Sequence, residues 1–185
     1  EETGATLIVG AVGLDDLDAE FPRLYDSAFV FAPGHPVQRY DKAHLVPFGE
    51  YLPFRPLLGR FIRAIATGSA GRDVTEGPAP AVLQVPIGDR IIPVGTPICY
   101  ELLFPDLMRG FAGKGARVLV ALTNAAWYGA TGAPYQFLAM TERRAAEAGL
   151  WIARAANTGV SARIDGRGRV REQTAIFETA TLTGA

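Results

Sequence analysis

The sequence predicts an α/β fold, because apolar runs of strand length alternate with helical patterns along the chain. The clearest unit is the strand pattern at 90–99, the helix pattern that begins at Leu102, and the strand pattern at 117–123. Strand, helix and strand in that order predict a right-handed parallel crossover. With 49% hydrophobic and 20% charged residues, the chain is expected to form one domain over 1–185.

The composition argues against several classes of protein. A formal net charge of -1 provides no basic field, so no nucleic-acid partner is expected. The sequence has one cysteine and therefore no internal disulfide. It has no run of 18 apolar residues and no signal-peptide pattern. No motif indicates a metal or another cofactor.

The first third of the chain predicts three strands. The run 5–12 is typical of a strand buried on both faces, and the acidic turn 13–18 ends it. The run 27–31 predicts a second strand, and the turn at 33–36 leads into a third at 37–40. The second and third strands are expected to pair antiparallel.

The remainder predicts a hairpin and two crossover helices. Gly88-Asp89 is expected to join strands at 81–87 and 90–99, and Gly113 and Gly115 to end the first helix. The second helix is expected at 134–148, with Phe137, Met140 and Ala148 near one face and an Arg143–Glu147 pair. Further strands are expected at 150–156, 160–165 and 169–173.

The segment 50–71 predicts an amphipathic helix. Apolar side chains recur at helical spacing, and three arginines fall elsewhere around the helix. The apolar residues are Phe54, Leu57, Leu58, Phe61, Ile62 and Ile65, and the arginines are Arg55, Arg60 and Arg63. Such a helix can lie at a membrane surface or bury its apolar face on its own sheet, and both alternatives stay open.

The single cysteine, Cys99, stands where a strand pattern ends and a helix pattern begins. Free N–H groups at a helix start favour a thiolate, which makes Cys99 a candidate nucleophile. The commoner role of a lone cysteine is that of a small buried apolar residue.

A second candidate stretch, 40–50, holds Lys42, His44 and Glu50 in a loop after a strand. A cysteine nucleophile that attacks a carbonyl needs a cation or N–H donors for the oxyanion, and a proton acceptor. Lys42 is the candidate cation and Glu50 or Glu101 the candidate carboxylate, although most lysines are solvated. His44 suggests a Cys/His pair, and a loop histidine is the alternative.

Four blocks of the sequence stand out together. They are Tyr-Asp-Lys to Phe-Gly-Glu at 40–50, Ile-Cys-Tyr-Glu at 98–101, Thr-Asn-Ala-Ala-Trp-Tyr-Gly at 123–129 and Ala-Asn-Thr-Gly at 156–159. In this order they resemble the blocks of the nitrilase, or carbon-nitrogen hydrolase, superfamily, and the first two are most similar to its membrane-bound branch, the apolipoprotein N-acyltransferases. Together they span nearly the whole chain.

The resemblance implies a four-layer α-β-β-α sandwich with a Glu-Lys-Cys catalytic set. It implies that the cysteine takes an acyl chain from a phospholipid as a thioester and passes it to the diacylglyceryl-cysteine of an apolipoprotein. Cys99 would be the nucleophile, Lys42 the oxyanion cation and Glu50 an additional catalytic glutamate. The residues that would shape the substrate pocket are Tyr100, Glu101, Trp127 and Tyr128. The enzyme would act at the bacterial inner membrane, with this domain on the periplasmic or outer face.

Two features depart from the family pattern. No Pro-Glu block precedes Lys42 to match the general-base glutamate, and Ala125 stands where an aspartate is common. The expected sandwich is therefore incomplete at the N-terminus, without the flanking transmembrane helices, and the fragment should be inactive or very slow. Two alternatives stay open: a soluble amidase that cuts a small amide, and a non-catalytic binding module.

Overall fold

The computed structural model describes residues 4–54 and 73–184, which form two β-sheets and two α-helices. The first sheet has three strands and the second has six, each in sequence order. The strands are β1 (Leu7–Asp15), β2 (Arg23–Phe31), β3 (Gln38–Asp41), β4 (Val82–Ile87), β5 (Arg90–Gly95), β6 (Val118–Asn124), β7 (Trp151–Asn157), β8 (Ala162–Ile164) and β9 (Val170–Gln173). The helices are α1 (Pro105–Gly113) and α2 (Ala133–Ala148). The predicted α/β class is confirmed.

The two sheets pack face to face and share one core. Ala28 and Tyr40 of the first sheet belong to the same buried cluster as Leu83 and Leu119 of the second. Gln38 links the sheet edges by hydrogen bonds in both directions with the backbone of Gln84. Helices α1 and α2 contact the six-stranded sheet. Sheet, sheet and helix are layers of the predicted sandwich.

Strand β1 is not buried on both faces, so that prediction is wrong. Leu7, Val12 and Leu14 are 56%, 62% and 48% exposed. β1 pairs antiparallel with β2, which is its one strand neighbour among the described residues. An antiparallel strand needs only one covered face, because no crossover helix lies over it.

The second sheet contains the predicted hairpin and parallel crossovers. Ile87 pairs with Arg90 across a turn in which Gly88 has φ 56°. β5 and β6 run parallel, as do β6 and β7, and the connections are α1 and α2. Strand β5 ends at Gly95, four residues before the predicted end. Cys99 therefore lies in a 3-10 turn, Cys99–Leu103, rather than on the strand.

The buried face of α2 differs from the predicted one. The buried residues are Pro134, Leu138, Thr141, Arg144 and Ala145, at spacings of four, three, three and one. Met140 is 40% exposed, because it projects nearly opposite Leu138 at 100° per residue. Glu147 pairs with Arg144 rather than with Arg143.

The predicted amphipathic helix lies outside the described residues, except for Phe54, whose side chain is 77% exposed. In the part of the chain that the structure describes, no helix is both long and apolar enough to cross a membrane.

Gly95 permits a close approach between β5 and its neighbours. A Cβ at this position would lie 2.6 Å from Leu119 Cδ2 and 2.9 Å from Phe111 Cδ1. Both side chains are fully buried, so they have little room to move. Glycine at position 95 therefore keeps α1 close to the sheet directly before the turn that holds Cys99.

We expect Gly95→Ala to lower the free energy of unfolding by about 1–3 kcal/mol, because the added methyl overpacks the core. Gly113→Ala is the matched control, since a Cβ there meets nothing within 4 Å and alanine favours a helix. Urea unfolding of both variants measures the difference. Equal stability of the two variants would contradict the close packing at Gly95.

Candidate active site

Cys99 begins a tight turn at the carboxyl end of the second sheet. Ile98, directly before it, forms a parallel bridge with Leu122 of β6. The backbone of Cys99 has φ 50°, a left-handed conformation that is costly for a residue with a Cβ. Such strain persists only where the surroundings impose it, and it is frequent at functional sites.

Lys42 follows β3 and is fully buried. Its Nζ forms an ion pair with Glu50 Oε1 and lies 3.8 Å from Asp26 Oδ2. Its backbone is held on both sides, since its N–H donates to Asp26 O and its C=O accepts from Gly77 N, each at 2.8 Å. Lys42 is therefore a fixed and paired charge, and the solvated alternative is wrong.

Glu50 returns to Lys42 through a short loop. While Oε1 contacts the ammonium, Oε2 accepts a hydrogen bond from Val46 N at 2.9 Å. The backbone closes the same loop, because Glu50 N donates to Val46 O at 2.9 Å. The structure thus brings Lys42 and Glu50 into direct contact.

Glu101 joins the lysine loop to the cysteine turn. Its Oε1 accepts from Tyr40 Oη at 2.8 Å, Ala43 N at 2.7 Å and His44 N at 3.2 Å. Its Oε2 accepts from Ile98 N at 2.7 Å. The side chain is fully buried, and both oxygens are occupied. Glu101 thus holds two loops together and is not exposed in an open pocket.

Burial sets the protonation of this cluster. It raises the pKa of Glu101, and the hydrogen bonds from Ile98, Tyr40, Ala43 and His44 act in the opposite direction. Burial also raises the pKa of Tyr40, and the neighbouring Glu101 carboxylate adds to the rise. Tyr40 therefore keeps its proton and donates a hydrogen bond to Glu101.

The Cys99 thiol lies in an environment that opposes ionisation. Burial raises its pKa above that of a free thiol, and the carboxylate of Glu50 adds to the rise. The charges of Lys42 and Arg154 lower it, as does a backbone hydrogen bond from Tyr100. The expectation that the turn alone favours a thiolate is not met, since burial outweighs the nearby cations.

His44 and the aromatic residues of the predicted site differ in their environments. The Tyr100 ring meets Phe104 edge-on, with centroids 5.2 Å apart, and the His44 ring lies 4.5 Å from the same ring. His44 thus has the environment of a loop histidine. Tyr128 is half-buried, and burial and the charges of Cys99 and Glu50 raise its pKa. Trp127 is 73% exposed.

The sequence reasoning missed two charged residues at this site. Asp26 lies on β2 beside Lys42, and burial followed by the charge of Glu50 raises its pKa. Arg154 lies on β7, is 3% exposed and acts electrostatically on Cys99. Arg154 left a signal in the sequence, since it is a charge inside the apolar run Trp-Ile-Ala-Arg-Ala-Ala. Asp26 left none that we recognise. Within 4–54 and 73–184, no group of three or more His, Cys, Asp or Glu side chains could hold a metal ion.

Known structures share this fold. A member of branch 10 of the nitrilase superfamily from Saccharomyces cerevisiae superposes with a TM-score of 0.62 at 18% identity, over 92% of this chain and 55% of its own. A glutamine-dependent NAD+ synthetase from Acinetobacter baumannii superposes with a TM-score of 0.69 at 16% identity, over 95% of this chain and 30% of its own. The fold is that of the nitrilase superfamily.

The family model for carbon-nitrogen hydrolase matches residues 1–185, and the chain belongs to that family. Curated relatives bear the name apolipoprotein N-acyltransferase. The protein from Geobacter metallireducens is 40% identical over 96% of this chain, and that from Rhizobium meliloti is 43% identical over 90%. The chain spans 33% and 31% of their lengths, or about a third.

We expect Glu101→Gln to lower the free energy of unfolding by about 2–3 kcal/mol, because one carboxylate oxygen becomes an NH2 group that faces N–H or O–H donors. Glu172→Gln is the control. Its partner Arg163 is 3.2 Å away and its side chain is 41% exposed, so we expect a change below about 0.5 kcal/mol. Thermal unfolding of both variants tests this, and similar losses would show that Glu101 does not join the loops.

Proposed function

We propose that this chain is the catalytic unit of an acyltransferase whose nucleophile is Cys99. The observation that carries the proposal is the buried ion pair of Lys42 with Glu50 beside a strained cysteine turn. A buried ammonium near a thiol suits the stabilisation of negative charge better than a structural role, because its desolvation is costly. The names of the curated relatives support acyl transfer as the reaction.

In the proposed reaction, the Cys99 thiolate attacks the carbonyl carbon of a phospholipid ester, and a tetrahedral oxyanion forms. Lys42 stabilises that oxyanion. Its collapse breaks the carbon–oxygen bond, the lysophospholipid leaves as an alcohol after protonation, and the acyl chain remains on Cys99 as a thioester. The α-amino group of a diacylglyceryl apolipoprotein then attacks the thioester. An amide forms and the thiol is released.

Glu50 is proposed to orient the Lys42 ammonium, which it contacts. The general base of the family is a further glutamate, and no residue of 1–185 matches its Pro-Glu block. We therefore infer that residues 1–185 alone transfer acyl chains very slowly or not at all. We propose that three aromatic residues contact the acyl chain or the acceptor, namely Tyr100, Trp127 and Tyr128. Glu101 supports this part of the site from its buried side, through its hydrogen bonds to the two loops.

A membrane surface is the proposed location of the reaction. Phe48, two residues before Glu50, is 70% exposed, and Trp127, one residue before Tyr128, is 73% exposed. Large apolar side chains on loops beside a reaction centre suit contact with lipid. We propose the inner membrane of a bacterium, with this domain on its periplasmic face.

The first test is the acyl-enzyme itself. We expect the full-length protein, incubated with phosphatidylethanolamine in detergent, to gain the mass of one acyl chain, and neutral hydroxylamine to remove it. Cys99→Ser should give no hydroxylamine-sensitive adduct. Intact-mass spectrometry measures both.

The same samples separate the alternatives. No adduct on the wild-type protein would contradict the acyltransferase, whereas ammonia release from a small amide would favour a carbon-nitrogen hydrolase that acts on amides. The absence of both would favour a non-catalytic binding module.

The second test concerns Lys42. We expect Lys42→Met to slow formation of the acyl-enzyme by about 10²–10³-fold, which is the usual effect of losing one oxyanion donor. Because the charge of Lys42 lowers the pKa of Cys99, its loss should raise that pKa further and move the rate profile to higher pH. Single-turnover rates as a function of pH measure both effects.

Lys114→Met is the matched control for this substitution. Lys114 directly follows α1, is exposed and donates to Pro80 O rather than to a carboxylate. Its variant should keep the wild-type rate and profile. A Lys42→Met enzyme with an unchanged profile would contradict the proposed role of the ammonium.

A further inference from the structure

Arg154 is a buried charge that the proposed reaction leaves unused. It lies in the middle of β7, and 3% of its surface is exposed. Its Nε donates to Val160 O at 3.1 Å, and its Nη1 donates to Thr141 Oγ1 at 3.2 Å. Both acceptors are neutral. Its Nη2 is buried and has no hydrogen-bond partner among the described residues.

Such an arrangement needs a compensating charge. Charged side chains are rarely buried without an ionic partner, because desolvation is expensive. Arg144, the other buried arginine of this region, has such a partner, since its Nη1 lies 2.9 Å from Glu147 Oε2. Arg154 has no carboxylate within ion-pair distance in the described part of the chain.

The sheet brings Arg154 close to the cysteine turn. Leu122 of β6 bridges Ile98 on one side and pairs with Ala155 on the other. Ile98 directly precedes Cys99, and Ala155 directly follows Arg154. Cys99 and Arg154 therefore flank the same strand near its carboxyl end.

The pKa shifts of Arg154 and Cys99 agree with this placement, because each residue is among the causes of the shift of the other. Burial lowers the pKa of Arg154 to about 10, and the charge that raises it is that of Cys99. In turn, Arg154 lowers the pKa of the Cys99 thiol. The guanidinium stays charged at neutral pH because its lowered pKa is still well above 7.

Other charged and titratable groups near Cys99 have partners of their own. Lys42 and Glu50 are paired with one another on the lysine loop. The carboxylate of Glu101, in the cysteine turn, accepts four hydrogen bonds. On α2, Arg144 is paired with Glu147. Burial raises the pKa of Tyr128, so its hydroxyl is neutral at ordinary pH.

We propose that Arg154 is a positioning residue that holds the thiolate of Cys99 from the β7 side, as a second buried cation opposite Lys42. The inference rests on the proposed role of Cys99 as nucleophile. The two cations act against the burial and against the carboxylate of Glu50, which together oppose ionisation. Lys42, held by Glu50, stabilises the oxyanion, while Arg154 stabilises the sulfur.

The test measures the ionisation of Cys99 without any substrate. The full-length protein is treated with iodoacetamide as a function of pH, and the alkylated Cys99 peptide is quantified by mass spectrometry. We expect Arg154→Met to lower the alkylation rate below the thiol pKa by about three- to tenfold and to move the profile to higher pH. Arg154→Lys, which keeps the charge, should follow the wild type.

Arg144→Met is the matched control, since it removes a buried guanidinium that pairs with Glu147. It should leave the profile of Cys99 in place. The proposal is overturned if Arg154→Met has the wild-type profile, if Arg154→Lys shifts as far as Arg154→Met, or if Arg144→Met shifts equally.

A second measurement needs no folded methionine variant. In wild-type protein labelled with 15N-arginine, the Nε resonance of Arg154 should titrate with the ionisation of Cys99, and this titration should vanish in Cys99→Ser. If the chemical shift of the Arg154 Nε resonance does not change with the ionisation of Cys99, the inference is overturned. Neither measurement uses lipid, so a protein that forms no thioester can still pass both. Failure of the acyltransferase proposal is thereby distinguished from failure of this one.

Discussion

The Glu101 carboxylate is the contact on which the geometry of the site depends. It is fully buried, and it accepts hydrogen bonds from Ile98 beside the cysteine and from Ala43 and His44 beside the lysine. These segments are some 60 residues apart in sequence, and neither makes a strand pairing with the other. One carboxylate with four donors substitutes for such a pairing. Because its donors are mostly backbone N–H groups, it fixes main-chain position rather than side-chain rotamers.

The electrostatics of the site are a balance between burial and paired charge. Burial opposes the ionisation of Cys99, and Glu50 adds to that opposition. The charges of Lys42 and Arg154 act against both. Because the net shift of its pKa is upward, the protonated thiol is the favoured form in the absence of substrate. The nearby cations limit that shift and do not reverse it.

The sandwich places these charges through both sheets. The first sheet contributes Asp26 and the loop after β3, and the second contributes the turn after β5 and Arg154 on β7. Parallel strands present their carboxyl ends at one edge, so β5, β6 and β7 deliver residues to a common place. The antiparallel β2 and β3 reach the same place from the facing sheet.

The sequence by itself determined the elements with strong local signals. Gly88 and Gly115 mark a real turn and a real helix end, because both have a positive φ, which glycine adopts more readily than other residues. The parallel units around α1 and α2 also follow from apolar periodicity. The sequence places Lys42 and Glu50 in one loop, and the structure brings their side chains into contact.

Only the tertiary structure decided which charges are buried and what each one contacts. Asp26 has no signal in the sequence, Arg154 is a charge inside an apolar run, and Glu101 is expected in the substrate pocket. The sequence does not show what any of the three contacts. The burial of the second face of β1 was also overestimated, because an apolar run does not reveal whether its strand lies at a sheet edge. Burial and pairing depend on segments that are distant in sequence, and a local sequence pattern does not show which of these segments will come into contact.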